Sequence, residues 1–138
     1  MRFERYILFE NCVAKILEKA EYNVRKNVKI PKEGWEIDVL AEKNDNKYCI
    51  DVKYILTNKR VAETILTIAE KENGIPVIIT AEYIGQKKRE YFKEKYPQLI
   101  LLDITNLLYA VRLNDELRNE LITCLNYSTE NIEPEKGL

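Results

Sequence analysis

The chain has 138 residues, 46% of them hydrophobic and 33% charged, with a formal net charge of −1. That is enough for one domain with a real core and too little for two comfortable ones. With no histidine, one serine (Ser128) and four glycines, it excludes His-based acid–base and nucleophile systems, His-ligated zinc, serine hydrolysis and glycine-rich phosphate loops. What remains is carboxylate, lysine and tyrosine chemistry around a bound hard metal. The longest apolar runs, such as Val77-Ile78-Ile79, are too short for a bilayer. Glu4, Arg5 and Glu10 break any signal-peptide pattern. Cys12, Cys49 and Cys124 form no CxxC and read as reduced, buried thiols, so a cytoplasmic protein without a membrane partner is expected. Near-neutral charge is not the footprint of a strong autonomous nucleic-acid binder, although local basic patches remain open.

Residues 3–20 have helical spacing, with Phe3, Tyr6, Ile7, Phe9, Val13, Ile16, Leu17 and Ala20 apolar. Tyr22 to Ile30 alternates in part and predicts a strand ending at Pro31. Lys32-Glu33-Gly34 is a turn. Ile37–Ala41 and Tyr48–Tyr54 predict a hairpin closed by Asn44-Asp45-Asn46-Lys47. Thr57 to Glu72 predicts a helix closed by Asn73-Gly74. Pro76–Thr80 is a continuous apolar strand of the buried, often parallel kind. Gln86–Tyr96 is a charged helix stopped by Pro97, and Leu99–Leu102 a second buried strand. Thr105–Arg112 and Asp115–Tyr127 are helical, the latter with Asn114 as N-cap. The expected organisation is one domain over 1–127 and a polar tail or linker over 128–138. The order α-β-β-β-α-β-α-β-α-α predicts a mixed sheet with helices on both sides.

The chemistry concentrates between Trp35 and Lys53. Alternation sends Asp51 and Lys53 to one face of their strand, roughly 6–7 Å apart at the backbone. On the preceding strand, the same rule sends Ile37 and Val39 one way and Asp38 and Leu40 the other. Pairing through the Asn44–Lys47 turn can set Asp38 across from Asp51, with Cβ atoms about 5 Å apart. Two carboxylates that close repel unless a cation lies between them. Mg²⁺ or Mn²⁺ suits such a pair, because hard divalent cations are held by one or two carboxylates, waters and phosphate oxygens. Lys53 is then placed to orient water, to stabilise phosphorane-like charge, or to act as base. Glu10 projects from the apolar face of the first helix, beside Tyr6, Val13, Ala14 and Leu17 on a wheel. A carboxylate buried there is costly unless paired or metal-bound, and Lys53 or Arg25 are candidate partners. Glu36 shares the parity of Asp38 and is a possible second ligand. The plain alternative is an Asp51–Lys53 ion pair on an exposed sheet face, with Asp38 a hairpin surface residue.

Other candidates are more ordinary. Lys59 and Arg60 can touch phosphates or simply open a solvated helix. Lys87, Lys88, Arg89, Lys93 and Lys95 form a basic stretch interleaved with Glu90 and Glu94, which favours i,i+4 pairing. Trp35 can stack on a base or pack.

Taken in order, Phe9-Glu10, Asp38 within Glu36–Leu40 and Asp51-Val52-Lys53 resemble the PD-(D/E)xK nuclease superfamily, and within it the Mrr-like restriction endonuclease branch. Ile75–Thr80 and Leu99–Asp103 with Leu107-Leu108 look like later core elements of that branch, so the resemblance covers residues 3–112. Asp51 stands where Glu or Gln is commoner, and no proline precedes Asp38. The resemblance implies a restriction-endonuclease-like α/β/α core, with metal ligands at Asp38 and Asp51, a catalytic Lys53, and Glu10 as an auxiliary acid. The expected function is Mg²⁺- or Mn²⁺-dependent hydrolysis of phosphodiesters, in DNA rather than RNA, of restriction or other defence type. A homodimer is expected for double-strand cutting. The alternatives are a Holliday-junction resolvase-like nuclease, whose archaeal members share a similar motif order, and a non-catalytic module of the same fold.

Overall fold

The computed structural model describes the backbone of residues 2–56 and 60–136, with side chains over 4–56 and 60–125. Among these, the elements follow the predicted order: α1 (Arg2–Lys19), β1 (Asn23–Ile30), β2 (Trp35–Lys43), β3 (Asn46–Lys53), α2 (Arg60–Lys71), β4 (Ile75–Thr80), α3 (Gln86–Lys95), β5 (Ile100–Leu102), α4 (Ile104–Ala110) and α5 (Asp115–Lys136). The strands form one sheet in the order β1-β2-β3-β4-β5. β1 to β3 are antiparallel neighbours, and β4 and β5 add in parallel.

Helices cover both faces. Phe9, Val13 and Ile16 of α1, Leu107 of α4 and Val111 at its C-cap, and Leu117 and Leu121 of α5 pack on Val39, Ala41, Ile50, Val52, Val77 and Ile79. On the other face Ala62, Ile65, Ile68 and Ala69 of α2 and Phe92 of α3 pack on Ile37, Leu40, Cys49 and Ile78. β3 and β4 feed both clusters, which is why they read as nearly continuous apolar runs.

Local chemistry sets the joints. Asn44 and Asp45 both take positive φ, at 53° and 66°, which makes a two-residue turn of the I′ kind between Lys43 and Asn46. After α2, Asn73 adopts φ 55°, and a Cβ on Gly74 would fall 2.7 Å from Cys49 Sγ. Asn114 caps α5 by accepting from Leu117 N–H at 3.0 Å. This helix runs to Lys136, beyond the predicted end at Tyr127, because no glycine or proline interrupts 115–133. No helix among the described residues is long and apolar enough to cross a membrane.

Candidate active site

The I′ turn fixes the β2–β3 register. Pairing runs from Lys43↔Asn46 to Val39↔Ile50, and one further step sets Asp38 opposite Asp51. There the ladder opens. Asp38 Oδ2 accepts the Val52 N–H at 2.9 Å and the Tyr6 hydroxyl, arriving from α1, at 3.1 Å.

The opening coincides with a break in the pleat. Alternation predicts Ile37 and Val39 on one face, but Ile37 belongs to the α2–α3 cluster and Val39 to the α1–α5 cluster. β1 shows the same switch, since Val24 packs towards α1 while Val28 and Ile30 pack towards α2. Between them Asn27 has φ 54°. The unchanged register, Lys26↔Val39 and Val28↔Ile37, makes Asn27 the neighbour of Asp38. Both strands therefore kink in step, and asparagine tolerates the left-handed conformation this requires.

Asp51 is shielded, with its side chain 16% exposed, and its Oδ1 lies 3.1 Å from Lys53 Nζ. The ammonium is close but badly angled, so Oδ1 is a buried acceptor receiving no hydrogen bond. Burial first, then the adjoining Asp38 carboxylate, push the Asp51 carboxyl up to about 7 against the pull of Lys53. Glu10 is buried, as its helical face predicts. Burial and Asp38 raise its pKa, and Lys26 and Lys53 oppose the rise. Lys26, rather than the Arg25 considered from sequence, is thus a basic neighbour of Glu10, and it also donates to Asn11 Oδ1. Burial, then the Asp38 charge, hold the Tyr6 hydroxyl far above its ordinary value, so it stays a donor. Glu36 is exposed but near enough to raise Glu10 further.

Other residues singled out from sequence fall elsewhere. Lys59 lies outside the described residues, and Arg60 opens α2 on an exposed turn. Trp35 is half-buried against the α2–α3 cluster with Lys71 over its ring, so it packs. In the basic stretch, Lys88 donates to Leu56 O and approaches Glu82, while Arg89 binds Leu101 O and Asp103. Those cations brace the fold. Tyr6 was not singled out, although its place one turn before Glu10 on the same face was available as a signal.

Among the described residues no three Asp, Glu, Cys or His side chains converge as a ready-made metal cage. The donor set fits a hard divalent cation in a more modest way. Two facing carboxylates, one with an orphaned buried oxygen and a raised pKa, form a place short of positive charge. A cavity of about 830 Å³ lies between α1 and α5, lined by Cys12, Val24, Lys26 and Cys124. It is not where Asp38 and Asp51 meet, so chemistry rather than volume locates the site.

Comparisons with known proteins agree with this fold. The solved structure of a protein of unknown function, AF1548, superposes with a TM-score of 0.58 at 23% identity, over 75% of this chain and 66% of that one. The chain thus spans just under two thirds of that neighbour's length, and the likeness carries the fold alone. No curated protein matches the chain. A family model described as restriction endonuclease, Mrr_cat, matches residues 6–111, which include Tyr6, Glu10, Asp38, Asp51 and Lys53. With most of its length inside that match, the chain belongs to the Mrr-type restriction endonuclease family of PD-(D/E)xK nucleases.

Proposed function

We propose that this chain is a Mg²⁺- or Mn²⁺-dependent endonuclease that hydrolyses phosphodiester bonds in DNA. The observation that carries the reading is the meeting of Asp38 and Asp51 at an opened ladder with Lys53 Nζ 3.1 Å from Asp51. A phosphodiester would bring further negative charge to two carboxylates and Glu10, so its approach calls for more cation than Lys53 supplies. Asp38 and Asp51 would hold the divalent ion, which polarises a phosphate oxygen and lowers the pKa of its bound water. Lys53 is about one-third exposed, and once Asp51 engages the metal its ammonium can turn to a phosphate oxygen or the attacking water. Glu10 would act as an auxiliary acid that orients water at the edge of the site.

The test is cleavage of supercoiled plasmid and a labelled four-way junction with Mn²⁺, comparing wild type with Asp51→Ala and Lys53→Ala. Metal-dependent cutting lost in both variants is expected, and preference for the junction would move the reading to a resolvase. Cutting that survives Asp51→Ala would end it. A homodimer would supply two sites for double-strand cutting; a monomer by sedimentation even with DNA bound would count against that.

A second reading has its own observation. Asp51 already has Lys53 as an ion-pair partner, and no three-ligand cage is preformed among the described residues, as a non-catalytic module would have it. It predicts no divalent-ion uptake and no cutting of either substrate by the folded protein.

A further inference from the structure

We infer that Tyr6 is a positioning residue, whose hydroxyl holds Asp38 by Oδ2 so that Oδ1 is the oxygen offered to a divalent cation. The inference rests on the reading of Asp38 and Asp51 as ligands. Among the described residues two donors, the Tyr6 hydroxyl at 3.1 Å and the Val52 N–H at 2.9 Å, reach Asp38, and both fall on the same oxygen, Oδ2. They come from different elements, a helix side chain and a strand backbone, 32 and 14 residues away in sequence. A carboxylate held by one donor can pivot about that contact, whereas two donors from separate supports fix its plane. Val52 lies beyond the last paired residues of the β2–β3 ladder, so the Asp38 side chain takes up an N–H that the kink leaves over. The backbone supplies one anchor through the fold itself, and Tyr6 supplies the one a point substitution can remove.

Tyr6 and Glu10 are one turn apart on the same face, while Phe9 and Val13 beside them are fully buried against β2 and β3. Packing of the apolar pair sets the height at which the hydroxyl meets Asp38.

The experiment is calorimetric titration of Mn²⁺ into the full chain, wild type beside Tyr6→Phe and Asp38→Asn, with thermal melts in EDTA. Outer-shell partners of metal ligands typically contribute about 10–100-fold in affinity. Tyr6→Phe is expected to weaken Mn²⁺ binding by that factor while its EDTA melt stays at the wild-type midpoint, and Asp38→Asn to weaken binding further. Binding by Tyr6→Phe within twofold of wild type would overturn the inference and leave the metal reading standing. A wild-type chain that takes up no Mn²⁺ would overturn both. A Tyr6→Phe chain that no longer folds in EDTA would also overturn it, by making the hydroxyl a structural contact.

Discussion

Asp103 and Asp51 are both aspartates shielded from water, and they have opposite surroundings. Asp103 follows β5 and caps α4. It accepts from the N–H groups of Ile84, Thr105 and Asn106 and from the Thr105 hydroxyl, with Arg89 at 3.0 Å. Burial alone would raise its pKa, but the Thr105 hydroxyl, the backbone N–H groups of Ile84 and Asn106, and Arg89 prevail and hold it below the usual carboxylate range. Asp51 has one misaligned ammonium and a second carboxylate beside it. A buried carboxylate ringed by donors stabilises architecture, and one left short of positive charge is poised to take a cation.

The largest effect that would sharpen this contrast is on catalysis. Asp51→Ala should lower plasmid cleavage by about 10³-fold or more, whereas Asp103→Ala, assayed below its melting temperature, should retain most activity. Equal losses in the two variants would erase the distinction. Stability should show the reverse order. Asp103→Ala removes a helix cap and orphans the buried Ile84 N–H, so urea unfolding should report a loss of about 2–4 kcal/mol.

The pH dependence divides them again. Asp51 has a folded pKa of about 7, above the ordinary 3.8, so the unfolded chain gives up this proton more readily. Its contribution is fully present below about pH 4 and lost as pH rises through 7. In EDTA, the wild type should therefore lose about 2–4 kcal/mol relative to Asp51→Asn between pH 4 and 8. Asp103, with its lowered pKa, contributes above the ordinary carboxylate range and loses that as pH falls. Parallel pH profiles for wild type and Asp51→Asn would show that Asp51 is not strained. The smallest effect is at the kink. Asn27→Val places a β-branched residue at φ 54° and should cost about 1–2 kcal/mol, with Asn27→Gly near neutral in the same urea assay.

Much of this was legible in sequence. Periodicity and turn residues give the element order, and a hairpin turn read at Asn44–Lys47 suggests that Asp38 can face Asp51, while the two-residue turn at Asn44-Asp45 that fixes the register is seen only in the fold. The helical wheel puts Glu10 inside. What escaped follows from long-range geometry. The alternation rule assumes an unbroken pleat, so it misassigned Ile37, whose side is set by a kink shared with Asn27 on the neighbouring strand. Composition marks Lys88 and Arg89 as basic but cannot show that their partners are Leu56 O, Glu82, Leu101 O and Asp103. No spacing rule connects the Tyr6 hydroxyl to a carboxylate 32 residues on.

The kink at Asn27 has one more consequence, for association. β1 is an outer strand of the sheet and carries exposed Arg25, Lys26 and Lys29. A bent edge studded with lysine and arginine is a poor template for another strand. At the far side β5 offers only three residues, Ile100–Leu102. Both rims thus resist sheet-to-sheet growth, which guards the chain against edgewise aggregation.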